Sequence, residues 1–406
     1  MVSIAPAIDL NFWDSKLLTD PYQGYALLLE KYPVCRFNNN GIFGVSRYED
    51  VYAALRNEHL FSGGSAADPR SEWLPDDCKH EIFLIADSNP LHGKRRKLVN
   101  KSFTPMAISD YKPAIGEEID RRLSSIIPNI SLDFLTQFSY PFSSTVLSMT
   151  TGIDDDDKKR SEVIRRWSYL TEKNEPHSSI EHKHETIKAT RELNAIYSEI
   201  LADRIQNPDS KNDLISLLLS AEVDGKPLEY STICAALNLF LSAGFMTTAQ
   251  FLAVAMIELS KSPELFSTLK SDQSLIPAFI EELLRFSGPT HSVLRSVAEP
   301  VQIQGYLIPK GSVVRLFIAA ADRDPRQFED PNEFRLNRPN IKTHVAFGHG
   351  IHVCIGAALV RFETRIVLER LLTEFEAIEC PDNDHLQWTS TLFTRGLDSL
   401  PITFKK

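Results

Sequence analysis

The sequence predicts a mainly α-helical fold with a minor β-sheet, and three observations support this expectation. Apolar residues recur at helical spacing through most of the 406 residues. Alternating strand patterns cluster in residues 294–318 and near the C-terminus around residues 400–404. No internal repeat, low-complexity run or Gly/Ser linker divides the chain, so we expect one domain over residues 1–406.

The elements follow from local periodicity. Residues 21–32 and 47–57 predict short amphipathic helices, with a strand between them at residues 41–48. A polar, proline-rich stretch with little periodicity predicts an ordered coil over residues 322–346, and a final helix is expected from about Gly356 to Glu376. Further helical spacing is found at 114–127, 186–205, 230–260 and 264–286.

Composition limits the class of protein. The chain is 43% hydrophobic and 24% charged, which is typical of a globular protein, and its net charge of −10 argues against nucleic acid as a partner. Five cysteines lie without paired spacing, so neither a disulfide framework nor a zinc site is predicted. Together with an N-terminus that lacks basic and apolar signal regions, this favours the cytoplasm.

The stretch from Ala235 to Leu259 is long and apolar enough to cross a bilayer. Polar residues interrupt its middle, and no lysine cluster flanks it. A helix that is apolar on every side is also typical of the centre of a large soluble protein. We therefore predict a buried helix and no membrane partner.

The most specific signal is the segment FGHGIHVCIG, from Phe347 to Gly356, which runs directly into the final helix. Backbone N–H groups and a helix N-terminus stabilise a thiolate, and glycines let the backbone fold tightly around a sulfur atom. Cys354 is therefore a candidate metal ligand. A buried cysteine in a glycine-rich turn is the plain alternative for a lone cysteine.

This segment resembles the haem-binding loop of bacterial cytochromes P-450: phenylalanine, two residues, glycine, one residue, histidine or arginine, one residue, cysteine, one residue, glycine. The resemblance implies a haem-thiolate monooxygenase with the cytochrome P-450 fold, in which haem b lies between a long central helix and the helix that follows the cysteine. It implies Cys354 as the axial ligand of the iron. Thiolate ligation favours O–O bond cleavage.

Other segments agree with the resemblance from about residue 20 to residue 404. Glu282 and Arg285 share a helix face, and the family pairs such a Glu-x-x-Arg helix with an arginine that corresponds to Arg338. We expect this triad to be structural. The resemblance assigns the haem propionates to His92, Arg96, Arg295 and His352.

The sequence AGFMTT in the central helix resembles the kinked segment that passes over the iron. Ala243 and Gly244 are small enough to leave room for O2 and substrate, and Thr247 occupies the position of the catalytic hydroxyl. The family usually has an acid immediately before that threonine. Here it is Met246, whose thioether cannot relay protons, so either water or another side chain supplies the proton or O–O cleavage is slowed.

Within the family, the sequence resembles bacterial O-demethylases of methoxy-aromatic compounds in three places: Ser242-Ala243-Gly244 before the helix kink, the run Arg395–Pro401, and the opening residues 20–34. The acidic Glu81 would repel an anion, which favours a neutral substrate such as a methoxy-phenol; a methylated sugar, or a larger natural product that is hydroxylated, is the alternative. Hydroxyls of a polyol substrate could satisfy Glu81 and His291. The candidate substrate contacts by position are Glu81, Phe83, Ile85, Leu239, Phe240, Ala243, Gly244, His291, Ser292 and Phe393.

The resemblance implies electrons from a ferredoxin and an NAD(P)H-dependent ferredoxin reductase, with the basic run Lys94–Lys97 as a docking face. A peroxide-driven enzyme is disfavoured, because such members place arginine and proline at the positions of Met246 and Thr247. A haem-binding sensor without catalysis is the alternative from another class. The presence of Thr247 argues against it.

Overall fold

The computed structural model describes residues 3–11, 15–38, 41–63, 73–153, 158–173, 178–208, 213–381, 385–390 and 393–406. Within these residues the fold is mainly helical with minor β structure, as predicted. The helices are α1 (Ser15–Thr19), α2 (Tyr22–Lys31), α3 (Tyr48–Arg56), α4 (Leu91–Val99), α5 (Pro105–Asp110), α6 (Lys112–Leu123), α7 (Tyr140–Thr151), α8 (Lys158–Glu172), α9 (Ile180–Gln206), α10 (Leu214–Leu219), α11 (Tyr230–Lys261), α12 (Pro263–Ser271), α13 (Ile276–Ser287), α14 (Ile318–Ala321) and α15 (Ala357–Glu374).

The strands form one larger mixed sheet and several small ones. The larger sheet has the order β2-β3-β4-β12-β9-β5, in which β4 pairs with β12 in parallel and β9 pairs with β12 antiparallel. The strands are β1 (Ser3–Ile4), β2 (Ala7–Ile8), β3 (Val34–Phe37), β4 (Phe43–Val45), β5 (Phe61–Ser62), β6 (Ser131–Asp133), β7 (Glu222–Val223), β8 (Lys226–Pro227), β9 (Val293–Val297), β10 (Val301–Ile303), β11 (Tyr306–Ile308), β12 (Val313–Leu316), β13 (Ala377–Glu379), β14 (Trp388–Ser390), β15 (Arg395–Leu397) and β16 (Pro401–Lys405).

Helix α11 is the centre of the core. Its first half, Ile233 to Leu241, belongs to one buried apolar cluster, and its second half, Phe251 to Leu259, belongs to another. In its most apolar 18-residue window, 78% of the residues are buried inside the protein. The helix passes a length and hydropathy test for a membrane span, and the structure places it inside the protein, as we predicted.

Two elements differ from the prediction. The helical pattern over residues 264–286 is divided into α12 and α13, because the chain leaves the helical conformation at Asp272, whose side chain accepts the Ser274 N–H. Periodicity did not reveal the break, since Phe266 before it and Phe279 after it enter the same apolar cluster. In the second case, the predicted strand at the end of residues 294–318 ends at Leu316, and the chain turns into α14.

The larger sheet and the C-terminal hairpin place several predicted site residues. Arg295 lies on strand β9, which pairs with β12 on one side and with the edge strand β5 on the other, and it stands opposite Val314 of β12. Immediately before β9, the N–H groups of His291 and Ser292 both donate to the carbonyl oxygen of Phe393, at 2.7 and 3.2 Å. The segment from residue 291 to residue 295 is therefore held by β12 at one end and by the connection between β14 and β15 at the other.

Candidate functional site

The loop around Cys354 is shaped by hydrogen bonds and by two glycines. The Cys354 N–H donates to the Phe347 carbonyl at 2.8 Å, and the Val353 N–H donates to the Gly350 carbonyl at 3.2 Å. Gly348 and Gly350 have φ of +68° and +74°, a region that favours glycine. A Cβ at Gly350 would also lie 2.5 Å from the Leu55 carbonyl oxygen. These glycines allow the loop to turn back beneath its own cysteine.

The electrostatics around Cys354 suit a metal-bound thiolate. It is the exposed cysteine among five, although the protein surrounds it closely enough for burial to raise the pKa of its thiol. The N–H groups of Gly356 and Ala357 and the cations of Arg96 and Arg361 oppose this effect. Because a bound metal replaces the thiol proton, these groups would stabilise the anion once iron is present.

The four predicted propionate-binding side chains cluster above this loop. The rings of His92 and His352 meet edge to face with centroids 4.6 Å apart, and the Nε2 atom of each is buried without a hydrogen-bond partner within the described residues. Arg96 donates to the Ile351 carbonyl at 3.2 Å, and Arg295 donates to the Leu294 carbonyl at 2.8 Å. The structure therefore brings together two free ring nitrogens and two guanidinium groups.

This cluster fits an anionic haem. Burial lowers the pKa of Arg295 to about 10, and burial, reinforced by Arg295, lowers the pKa of His352 to about 3. Burial also lowers the pKa of His92. Buried polar atoms without a hydrogen-bond partner are uncommon in proteins, and a negatively charged hydrogen-bond acceptor would satisfy these donors. The residues present thus fit a group with two carboxylates.

Helix α11 is open to the site at one place. Ala243 is exposed and Thr247 is half-buried, within a helix that is otherwise largely buried. The Thr247 hydroxyl donates to the Ala243 carbonyl oxygen at 2.5 Å. Such a contact to the carbonyl four residues back bends helices slightly, and it leaves the Thr247 oxygen able to accept a hydrogen bond from water or substrate.

Gly244 and Met246 face helix α7 rather than the open side. A Cβ at Gly244 would lie 2.8 Å from Leu147 Cδ2, so a larger residue would displace the end of the Leu147 side chain, a contact that the sequence did not predict. Met246 is buried with Leu147 and Phe245. Ser143 of α7 donates to the Phe245 carbonyl at 2.9 Å. The residue at the position of the usual acid is therefore part of the packing between α7 and α11.

The predicted polar substrate contacts already have partners. Glu81 pairs with Arg95 at 2.8 Å, and His291 Nδ1 is 2.8 Å from the Tyr25 hydroxyl. Burial lowers the pKa of His291 well below its ordinary value, so its ring is neutral. Glu81 and His291 thus each have a partner within the protein and do not depend on a polyol, and their contact with substrate stays a prediction.

The apolar candidates divide between buried and accessible positions. Phe83 is 1% exposed, and Phe240 is buried and stacks on Phe103 with centroids 5.1 Å apart. Ile85 is 40% exposed. Leu239 packs against the cluster that contains Phe83 and Phe240. Ser292 is buried and Phe393 is half-buried, and both remain proposals as substrate contacts.

The predicted triad is confirmed. Arg285 Nη2 lies 2.7 Å from Glu282, and Arg338 Nε lies 3.1 Å from the same carboxylate, with all three side chains at most 2% exposed. The two arginines also donate to backbone carbonyls of the coil that precedes the cysteine loop, namely those of Asp322, Glu329, Asp330, Pro331 and Glu333. The triad thus satisfies the backbone of an irregular segment.

The basic run Lys94–Lys97 does not form a surface patch of four cations. Lys94 and Lys97 are exposed, whereas Arg95 is buried against Glu81 and Asp87, and Arg96 points to the cysteine loop. The sequence reasoning also missed the role of Arg95. An available signal was that two acids, Glu81 and Asp87, flank the apolar residues 82–85.

Comparison with known proteins agrees with this geometry. A model of the Cytochrome P450 family matches residues 19–398. Cytochrome P450 107B1 of Saccharopolyspora erythraea is 32% identical over 411 residues, which cover 97% of each chain. The solved structure of the bacillaene polyketide synthase cytochrome P450 PksS of Bacillus subtilis is similar, with a TM-score of 0.87, 28% identity and coverage of 98% of this chain and 100% of that one.

A second solved structure is CYP109E1 of Bacillus megaterium in complex with testosterone. It has a TM-score of 0.84 and 28% identity, and the match covers 95% of this chain and 98% of that one. Fold and site together define a haem-thiolate protein. The chain belongs to the cytochrome P450 family, monooxygenases that bind haem b through a cysteine thiolate. The predicted fold is confirmed.

Proposed function

We propose that Cys354 is the thiolate ligand of haem b and that this monooxygenase hydroxylates a neutral, largely apolar natural product of polyketide or steroid size. The observation that carries the proposal is the open side of α11 at Ala243 and Thr247. One turn before it lie Leu239 and Phe240, and Ile355, the neighbour of Cys354, packs against the same apolar cluster. Apolar side chains of the ligand loop and of α11 thus pack against one cluster.

The chain's own residues then have defined tasks. His92, Arg96, Arg295 and His352 hold the propionates, and Thr247 steadies a water through its hydroxyl oxygen. Bound haem supplies reductive activation of O2, which thiolate ligation favours. The apolar side chains of the cluster that contains Phe83 and Phe240 exclude water and orient the substrate C–H bond. Binding in a fixed geometry contributes much of an enzyme's rate enhancement.

The similar proteins provide evidence on the size of the substrate. The names of the similar proteins refer to polyketide synthesis and to testosterone, which favours a larger substrate over the small methoxy-aromatic compound that the sequence suggested. Because Glu81 and His291 already pair with Arg95 and Tyr25, the case for a sugar is also weaker. On a methoxy carbon the same hydroxylation would release formaldehyde.

The test is a spin-state screen of the ferric protein with a macrolactone, a steroid, methoxy-phenols and methylated sugars. We expect a shift from low to high spin with the macrolactone or the steroid, followed by a product that has gained one oxygen atom. A shift confined to methoxy-phenols, with formaldehyde released, would support O-demethylation instead. No shift with any ligand would favour a sensor.

We further propose that a ferredoxin is the electron donor and that Lys97 belongs to the face of this protein on which the ferredoxin docks. We also propose that the protein is located in the cytoplasm. Opposite charges accelerate such encounters and make them sensitive to salt. Lys97→Glu should slow reduction by an acidic ferredoxin several-fold at low salt and should leave substrate binding unchanged. Lys188→Glu, an exposed lysine on α9, is the matched control. Equal rates for both variants would contradict the assignment.

A further inference from the structure

One guanidinium closes the loop that carries Phe83. We call residues 79–87 the substrate loop. Its two acids, Glu81 and Asp87, stand on either side of an apolar segment, and both pair with Arg95 of α4, at 2.8 and 3.0 Å. The ends of the segment are therefore joined through a single side chain of the helix that also carries His92 and Arg96.

The segment between the acids is held in a defined shape. Leu84 has φ of +59°, which is unusual for a residue with a branched side chain, and its N–H donates to Asp87 at 3.0 Å. Phe83 is 1% exposed, with its ring centroid 5.1 Å from the guanidinium carbon of Arg95. On the other side, a Cβ at Gly63 would lie 1.7 Å from the Ile85 carbonyl oxygen, so the two backbones touch.

Inside the protein the substrate loop reaches α11. Phe83 and Leu84 belong to the same buried cluster as Phe240 and Leu241, one turn before the open position at Ala243. A movement of Phe83 would therefore change the wall of the proposed substrate site.

Outside, a cavity of about 390 Å³ adjoins the same pair of side chains. Glu81 and Arg95 line it together with the hairpin formed by β7 and β8 and the first turn of α11. Lys94, the neighbour of Arg95, pairs at 2.6 Å with Asp224 of this hairpin. The Arg95 side chain therefore lies between an outer cavity and the apolar interior at Phe83.

We propose that Arg95 is a positioning residue that clasps the substrate loop, and that release of Glu81 from Arg95 opens the outer cavity toward the substrate site. The proposal rests on the proposed function, because it assumes that the site next to Phe240 takes the substrate. The Glu81 side chain is 38% exposed and that of Asp87 is 9% exposed. Exposed ion pairs are weaker than buried ones, so the Glu81 pair is the one that opens.

The test follows the binding of phenylimidazole to the ferric haem by stopped-flow absorbance. Glu81→Gln and Arg95→Gln should each raise the association rate roughly tenfold, with unchanged haem content. The association rate of Arg95→Lys should lie between those of these variants and the wild type, since lysine keeps the positive charge but lacks the guanidinium that pairs with both acids. Higher salt should accelerate binding to the wild type and not to Glu81→Gln. Lys94→Gln, which breaks only the exposed pair with Asp224, is the matched control and should stay within about twofold of the wild type.

Association rates within about twofold of the wild type for Glu81→Gln, in protein with the normal spectrum of reduced haem under carbon monoxide, would overturn the clasp and leave the proposed function intact. If Arg95→Gln fails to retain haem, Glu81→Gln carries the test alone, because its side chain is partly exposed. Equal acceleration in Lys94→Gln would also overturn the proposal, since the effect would then belong to surface charge. A wild type without that spectrum would refute the proposed function instead.

Discussion

Glycine 244 gives the most direct test of the packing between α7 and α11. Gly244→Ala replaces a glycine in the interior of a helix. This replacement by itself stabilises a helix by about 1 kcal/mol. The new Cβ would lie 2.8 Å from Leu147 Cδ2, however, well inside the ordinary contact distance. Leu147 is 8% exposed and packs on Phe245 and Met246, so its displacement would disturb these contacts. Overpacking of this kind costs about 1–3 kcal/mol, and we expect a net loss of stability of about 1 kcal/mol.

The assay is urea unfolding followed by circular dichroism, with two further variants. Gly116→Ala is the matched control, because this glycine also lies within a helix and a Cβ there would meet nothing within 4 Å. It should raise the free energy of unfolding by about 0.5–1 kcal/mol. Adding Leu147→Ala to Gly244→Ala should cost less than the sum of the single changes. The reasoning is refuted if Gly244→Ala stabilises the protein as much as Gly116→Ala does.

Three further predictions concern buried groups. Burial raises the pKa of Glu363 from 4.5 to about 8, so the folded state binds more protons than the unfolded state between these values, and stability falls as pH rises through them. As pH rises from about 5 to about 8, the free energy of unfolding of Glu363→Gln should therefore increase relative to that of the wild type by up to roughly 4 kcal/mol, as measured by urea titration. If the free energies of the two proteins changed with pH in parallel, the prediction would be contradicted. Glu282→Gln should cost about 3–5 kcal/mol, because two buried guanidinium groups lose their carboxylate, whereas Glu369→Gln, in an exposed pair, should cost about 0.5 kcal/mol or less. Met246→Asp would bury a carboxylate beside Leu147 and should cost about 3 kcal/mol without raising the product formed per NADH; a rise in that ratio with stability retained would show that position 246 reaches the proton path.

Periodicity and one short motif predicted much of the fold and the ligand loop. The run from Ala235 to Leu259 is apolar on all sides, and this predicted a buried central helix, which α11 confirms. The haem loop was readable because glycines, an aromatic residue and a histidine occupy fixed positions around Cys354. Such signals are local, so they can be recognised in the sequence without knowledge of tertiary contacts.

The parts that the sequence could not predict depend on contacts between distant segments. Gly244 was expected to make room for O2 and substrate, but its missing Cβ faces Leu147, about a hundred residues earlier in the chain. The role of Glu81 depends on Arg95, whose position within a basic run suggested a surface cation. His291 was expected to need a substrate hydroxyl, and Tyr25 of α2 supplies the hydrogen bond instead. In each case the partner becomes visible only when the chain is folded.

The central claim is that the sulfur of Cys354 binds haem iron as an anion. The measurement is the absorbance spectrum of the reduced protein under carbon monoxide, for the wild type and for Cys354→Ser. We predict a strongly red-shifted Soret band in the wild type and its loss in the serine variant. A wild type without this band, or a serine variant that retains it, would contradict the account.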